Sequence, residues 1–326
     1  VDQFAEWVRH SFGLGDGPLL RTVGGRGADG DVWHLQVDSR EYAVKRPFHP
    51  FDVEAVSREA ALLDHLAARE VEVPTHVGTT DGRLVAEVPA DLGGGRARVS
   101  HWIEGDSVGA RTSELAEQLG ALLAQLHRAA PATERQPRSW YTAMLAPVEW
   151  AHLVEQSAGR PWHDALAARL GDLTAYDELV RRAHPATGPF ILGHCDLHPD
   201  NALVAPDGSL RALDWEDFGP LDPGRELAKT LVQWHVLDNT LDEEAITRTV
   251  TAYRAAGGPG VLADLRDFAM VLCSETNFLA SQIRLALDDA AQPERREQAQ
   301  GEITEALGAY LPSLATLDRV LDAATA

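Results

Sequence analysis

The sequence has little cysteine: two residues, Cys195 and Cys273, in 326. Two thiols cannot build a disulfide framework, so a cysteine-stapled small fold is excluded and a reduced, cytoplasmic protein is expected. No apolar run approaches the ~18 residues that a membrane span needs. Residues 1–12 lack the basic start, apolar core and small-residue cleavage site of a signal peptide. They read as a short amphipathic helix with Phe4, Trp7 and Val8 on one face. There is no internal repeat and no low-complexity linker. Basic residues are scarce, 29 against 50 acidic ones, for a net charge of −21. Nucleic acid and anionic membrane both require cationic surface, so neither is expected as a partner. An acidic protein attracts cations, which favours a cationic, amine-bearing small molecule, although the same charge also serves solubility. A monomer or a dimer is expected.

The chemistry is concentrated between residues 194 and 216. There the chain reads His194-Cys195-Asp196-Leu197-His198-Pro199-Asp200-Asn201, then an apolar run, then Leu213-Asp214-Trp215-Glu216. Phosphoryl transfer needs one carboxylate to accept the proton of the attacking hydroxyl. It also needs an amide oxygen and a second carboxylate to hold the Mg²⁺ that neutralises the polyphosphate. Asp196, Asn201 and Asp214 are residues of those types. Residues 202–204 and 210–213 are β-prone, and Pro206-Asp207-Gly208-Ser209 between them is a turn signal. Asn201 and Asp214 are therefore expected at the same open end of a two-stranded ribbon. Two other readings compete. Asp, Asn and His also cap turns. The His194-x-Asp196-x-His198 spacing also resembles a metal-ligand cluster, the mark of a metal-dependent hydrolase.

Upstream, Gly25-Arg26-Gly27-Ala28-Asp29-Gly30-Asp31-Val32 fits Gly-x-Gly-x-x-Gly-x-Val between two strand-like runs, 19–23 and 32–37. A dinucleotide site needs a helix after such a loop, so strand-loop-strand favours a flap over phosphates. Tyr42-Ala43-Val44-Lys45 reads as a strand ending in lysine. Residues 52–70 read as a helix with Val56, Leu63 and Leu66 on its apolar stripe and Glu59 on the same stripe. A carboxylate facing a core is costly unless paired. Lys45 is the expected partner, with Arg58 and Arg69 as surface competitors.

Together the glycine loop, Lys45, Glu59, the His-x-Asp-x-His-x-x-Asn segment and the Asp-Trp-Glu segment resemble the aminoglycoside phosphotransferase family. Its wider group includes choline, homoserine, methylthioribose and fructosamine kinases. The resemblance covers residues 18–236, roughly two-thirds of the chain. It implies an α+β, bilobal, protein-kinase-like fold. Residues 1–99 would form an antiparallel-sheet, nucleotide-binding lobe with one helix, 100–105 a hinge strand, and 106–326 a mostly helical lobe with catalytic loop, metal site and acceptor pocket. It implies ATP or GTP with Mg²⁺, and transfer of the γ-phosphate to a hydroxyl of an aminoglycoside or related metabolite. Asp196 would be the catalytic base, and Asn201 and Asp214 would hold Mg²⁺. Lys45 would grip the α- and β-phosphates, oriented by Glu59. Gly25, Gly27 and Gly30 would cover the phosphates, Val32 and Ala43 would pack on adenine, and the backbones of His101 and Ile103 would bond its edge.

Three residues depart from the family pattern. Cys195 stands where glycine is usual, Glu226 where aspartate is usual, and Asp29 puts negative charge in the glycine loop. The first leaves a non-catalytic, nucleotide-binding regulator as an alternative. Beyond residue 112 the pattern is helical. Thr112 or Ser113 caps a first helix with Leu115, Leu119, Leu122, Leu123 and Leu126 on one face, ended by Pro131. Further helices are expected over 140–157, 163–183, 223–237, 242–256, 260–290 and 295–324. Trp234, Glu275, Asn277, Asp288 and Asp289 fall on helices that could line the acceptor pocket, with Asp288-Asp289 also reading as a surface cluster. Trp215 reads as packing.

Overall fold

The computed structural model describes residues 2–27, 30–48, 52–109, 112–183 and 189–326, the side chains of 23–27 excepted. In chain order the main elements are α1 (Gln3–Ser11), β1 (Leu19–Gly27), β2 (Gly30–Val37), β3 (Arg40–Pro47), α2 (Val53–Ala67), β4 (His76–Val77), β5 (Ala86–Glu87), β6 (Arg96–His101), β7 (Asp106–Ser107), α3 (Ser113–Ala129) and β8 (Ala132–Thr133). There follow α4 (Pro147–Gln156), α5 (His163–Ala168), α6 (Leu170–Arg182), β9 (Phe190–Gly193), β10 (Ala202–Val204), β11 (Leu210–Ala212), β12 (Gly219–Leu221), α7 (Pro223–His235), β13 (Val236–Leu237), β14 (Thr240–Leu241), α8 (Glu243–Ala255), α9 (Ala269–Leu287), α10 (Pro293–Glu305) and α11 (Leu314–Thr325). They form two compact units, Val1–Ser107 with Ala202–Asp217, and Val108–Asn201 with Phe218–Ala326.

The first unit is built on an antiparallel sheet of order β1-β2-β3-β6-β4, with β5 also on β6. Its register pairs Val32 with Lys45, Lys45 with Arg98, and Ala43 with Ser100. Paired residues and their i±2 neighbours share a face, so Val32, Ala43, Lys45 and Arg98 lie together. The other face buries Leu35, Tyr42, Val44 and Val99 against Phe4, Val8 and Phe12. That is why a short helix precedes the sheet: its apolar stripe covers this face. The glycines lie in a hairpin, Gly25 opposite Val32 and Gly27 opposite Gly30, as the strand-loop-strand reading expects. Asp29 and Ala28 lie outside the described residues. A Cβ on Gly30 would sit 2.6 Å from the Arg46 carbonyl, so the close approach of β3 requires glycine there. Asp52 caps α2, which buries Val56, Leu63, Leu66 and Glu59.

Two boundaries differ from the sequence reading. The expected hinge strand, residues 100–105, ends at His101, because the Trp102 N–H turns back to the Glu41 carbonyl. The hairpin β10–β11, expected with the helical part, groups with the first unit, since β10 also pairs with β7. The turn itself falls where the sequence puts it, with Asp207 accepting from the Ser209 N–H.

The second unit is helical. Thr112 caps α3, and its five predicted leucines are buried. α3 and α8 approach so closely that a Cβ on Gly120 would lie 2.1 Å from the Thr249 carbonyl. Gly120→Ala is therefore expected to destabilise the fold by about 1–3 kcal/mol, as overpacking does. Urea unfolding measures this, and a loss under ~0.5 kcal/mol would contradict the packing described. Prolines account for two shifted helix ends. α4 starts at Pro147, a residue suited to the first helical position. The long helix expected over 295–324 breaks before Pro312, which cannot continue it. The 163–183 helix is divided at Arg169, for which the structure offers no evident cause.

Candidate active site

In the first unit the charged residues singled out in the sequence, with Arg98 and His76, form one network on the sheet face described above. Lys45 Nζ lies 2.6 Å from Glu216 Oε1 and 3.6 Å from Asp214 Oδ1. The sequence thus brings together a lysine and an aspartate 169 positions apart. The expected Lys45–Glu59 pair is not formed. Glu59 Oε2 accepts from Arg98 Nη1 at 2.7 Å, and its Oε1 lies 3.2 Å from His76 Nε2. Arg98 also donates to Glu216. The reason is register: Arg98 stands directly across from Lys45, and its planar fork of donors reaches two carboxylates at once. Burial pushes the Glu59 carboxyl up, but His76 and Arg98 outweigh it and hold it below the usual range. Of the competitors named from sequence, Arg58 pairs with Asp52 and Glu54, and Arg69 donates to the His65 carbonyl.

The His101 N–H donates to the Thr75 carbonyl at 2.9 Å, so a bond from this backbone to a base would be made by its carbonyl. Ile103 follows the strand and is buried. Trp215 is buried as packing, its indole donating to the Ala212 carbonyl. Asp214 adopts a left-handed backbone, φ 54°, and its side chain is 45% exposed.

In the second unit the loop after β9 carries Asp196. Cys195 explains the usual glycine: its φ is 70°, the left-handed region that favours residues without a Cβ. The thiol is nevertheless accommodated, fully buried near the Gly193 and Gly219 carbonyls. Glu226 holds this turn. Its Oε1 accepts the Cys195 N–H, and its Oε2 lies 2.8 Å from His127 Nε2. The ionised Glu226 accepts from His127 Nε2, and His127 Nδ1 lies 2.7 Å from the Tyr253 hydroxyl, which also accepts the Gly260 N–H. Burial pushes Glu226 up; His127 outweighs it and the carboxyl stays below its ordinary range. Its stabilisation is thus present above the ordinary carboxylate pKa and fades as pH falls below it. Glu226→Ala strands His127 and the Cys195 N–H in the interior. It is expected to cost about 3–5 kcal/mol, read by urea unfolding; a loss under ~1 kcal/mol would show the pair to be dispensable.

Asp196 is held on both carboxylate oxygens. Lys229 Nζ donates to Oδ1 at 2.8 Å, and Asn201 Nδ2 donates to Oδ2 at 3.2 Å and to the Asp196 carbonyl at 3.0 Å. His198 Nε2 lies 3.5 Å from Oδ2. Burial pushes Asp196 up, but Lys229 and His198 hold it well below the usual carboxylate range. Nothing in the sequence pattern had singled out Lys229, Arg98 or His76. Only the helix spacing that puts Lys229 three residues after Glu226 was available as a signal.

The remaining sequence candidates separate. Trp234 is buried and donates to the Leu197 carbonyl, so it pins the loop. Asn277 anchors the Trp140 and Ala143 carbonyls. Asp288 and Asp289 are exposed, the latter with Arg296. Glu275 is half-buried and accepts from Gln233. Among the described residues no group of three or more His, Cys, Asp or Glu is placed to hold a metal, which removes the support for a His194/Asp196/His198 hydrolase centre. Mg²⁺ takes oxygen donors with few protein ligands. The half-exposed Asp214 carboxylate is such a donor. The Asn201 carbonyl oxygen is another, because its NH₂ is engaged on Asp196. These donor types fit Mg²⁺.

No described helix is long and apolar enough to cross a membrane. The family model described as the phosphotransferase enzyme family (APH) matches residues 22–268. A homoserine kinase of Azorhizobium caulinodans is 32% identical over 47% of this chain and 45% of its own length, so the chain spans about half of that relative. A homoserine kinase of Cupriavidus metallidurans is 27% identical over 78% of this chain and 77% of its own. The crystal structure of a spectinomycin phosphotransferase with ADP and spectinomycin superposes with a TM-score of 0.63 at 15% identity, covering 99% of this chain and 97% of that one, which establishes the protein-kinase-like fold. With three-quarters of its length inside the family model, the chain belongs to the APH phosphotransferase enzyme family.

Proposed function

We propose that the protein transfers the γ-phosphate of ATP to the hydroxyl of a small amino alcohol, of the size of homoserine rather than of an aminoglycoside. The observation that carries this reading is Asp196, a carboxylate fixed on both oxygens at the head of a loop that also presents Asn201. The acceptor class is supported by the relatives named homoserine kinase and by the net charge of −21, which favours an amine-bearing substrate.

In this reading Asp196 accepts the proton of the acceptor hydroxyl and orients its oxygen. A carboxylate held well below its ordinary range is a weak base. The loose transition state of phosphoryl transfer asks mainly for positioning, so weak basicity is no obstacle. Lys45 binds the α- and β-phosphates. Gly25, Gly27 and Gly30 cover them with backbone, and Val32 and Ala43 flank the adenine, with Ile103 at its edge. Asn201 and Asp214 hold Mg²⁺, which when bound neutralises the polyphosphate charge. Glu59 acts at one remove, holding Arg98, which in turn holds Glu216 beside Lys45.

The test is ADP release with L-homoserine, ethanolamine, 1-amino-2-propanol and spectinomycin as acceptors. At least one amino alcohol is expected to give kcat/KM about tenfold or more above spectinomycin, the lower end of the discrimination that one mismatched group produces. Preference for spectinomycin would overturn the acceptor class.

A further inference from the structure

The sequence has 29 basic residues and only two are lysines, Lys45 and Lys229. Everywhere else, including every exposed ion pair described, the chain uses arginine or histidine. Lys45 already has a part in the proposed chemistry. Lys229 has none, although it is 2% exposed, and a buried ammonium is costly unless paired.

Its surroundings show how it is paired. Nζ donates to Asp196 Oδ1 at 2.8 Å and to Gln233 Oε1 at 3.3 Å, and Gln233 donates in turn to Glu275 Oε1 at 2.9 Å. The ammonium is thus clamped between the loop carboxylate and a second carboxylate reached through one amide. Lys229 also falls into a larger pattern. Along α7, Glu226 accepts the N–H of Cys195, Lys229 donates to the carboxylate of Asp196, and Trp234 donates to the carbonyl of Leu197. Three successive loop residues are each held by a different side chain of one helix. The outer two hold backbone; Lys229 alone holds a functional group.

We propose that Lys229 is a positioning residue for phosphotransfer, fixing the orientation of the Asp196 carboxylate that receives the acceptor's proton. An arginine would not substitute. The compact ammonium directs single donors at separate acceptors, whereas a guanidinium presents a rigid planar fork. The proposal rests on Asp196 being the base, and the experiment separates the two.

Steady-state kinetics are measured for wild type, Lys229→Met, Asp196→Asn and the double variant with L-homoserine as acceptor. The slow hydrolysis of MgATP without acceptor serves as the acceptor-independent counterpart. Lys229→Met is expected to lower kcat by about 10- to 100-fold, the scale of a catalytic group misplaced by about an ångström. KM for MgATP is expected to stay within about threefold, because only a step after nucleotide binding is affected. In the Asp196→Asn background the same change is expected to cost less than about threefold, since residues acting as one unit are not additive. Unchanged kcat in Lys229→Met, or a full multiplicative loss in the double variant, overturns the proposal. Full activity in Asp196→Asn overturns the base assignment instead.

A structural readout accompanies the kinetics. Protein labelled with ¹⁵Nζ-lysine gives two side-chain signals, and Asp196→Asn is expected to shift that of Lys229 while leaving Lys45 in place. An unmoved Lys229 signal contradicts the pairing. The double variant carries a neutral Asn–Met pair and strands no charge at those two positions. It and the labelled Asp196→Asn protein keep the test decisive if Lys229→Met alone does not fold.

Discussion

Asp196→Asn is expected to lower turnover by about 10²- to 10⁴-fold, the range for removal of a positioned general base. The affinity for MgATP should remain within about threefold. The geometry explains the asymmetry. Asp196 is bonded to Lys229 and to its own loop's Asn201, and its carboxylate is proposed to serve the acceptor proton rather than the nucleotide. Asparagine keeps the shape and one acceptor oxygen, which limits the structural cost. It cannot take a proton, and its NH₂ would have to face either Lys229 or Asn201, both of them donors. Stopped-flow or coupled ADP-release kinetics give kcat, and calorimetry gives the nucleotide affinity. Unchanged turnover would remove Asp196 from the base role, whereas a loss confined to KM for MgATP would move it to the nucleotide.

Asp214→Ala is expected to act on the other side of the reaction. It removes a half-exposed carboxylate beside Lys45 that is proposed to hold Mg²⁺. The expected loss in kcat/KM for MgATP is about 10²- to 10³-fold, comparable to removing one preorganised charge at a reacting group. Magnesium dependence should weaken with it, so that saturating Mg²⁺ no longer strengthens ATP binding. Lys45 keeps Glu216 at 2.6 Å in this variant, so the fold of the first unit should survive and the melting temperature should change little. Undiminished affinity for MgATP in Asp214→Ala would contradict its assignment.

Much of this was legible in the residues. Strand and helix positions around the glycine hairpin, the Lys45 strand, α2 and the 202–212 hairpin follow from local periodicity and turn chemistry, and they appear where those signals put them. Glu59 was legible as a buried carboxylate, because its place on an apolar stripe depends on its own helix alone. Its partner was not. Whether Lys45 or Arg98 reaches Glu59 depends on which residues of β3 and β6 stand opposite each other, and cross-strand register is a long-range property. The same holds for Lys229, which meets Asp196 only once α7 packs under the loop. Cys195 looked like a threat to the loop because a side chain replaces hydrogen there. The structure instead shows a small thiol filling buried space, with Glu226 long enough to reach the turn that carries it. Helix ends at Pro147 and before Pro312 were available in the sequence and yielded to a longer apolar pattern.

The central claim is that Lys45 and Asp214 serve one magnesium-bound nucleotide. Because the chain holds only two lysines, the ¹⁵Nζ signal of Lys45 can be followed directly while a non-hydrolysable ATP analogue with Mg²⁺ is titrated in. The account predicts a saturable shift of the Lys45 signal, at the same midpoint that calorimetry gives for nucleotide binding, and its loss in Asp214→Ala. A nucleotide that binds while the Lys45 signal stays where it was would contradict it.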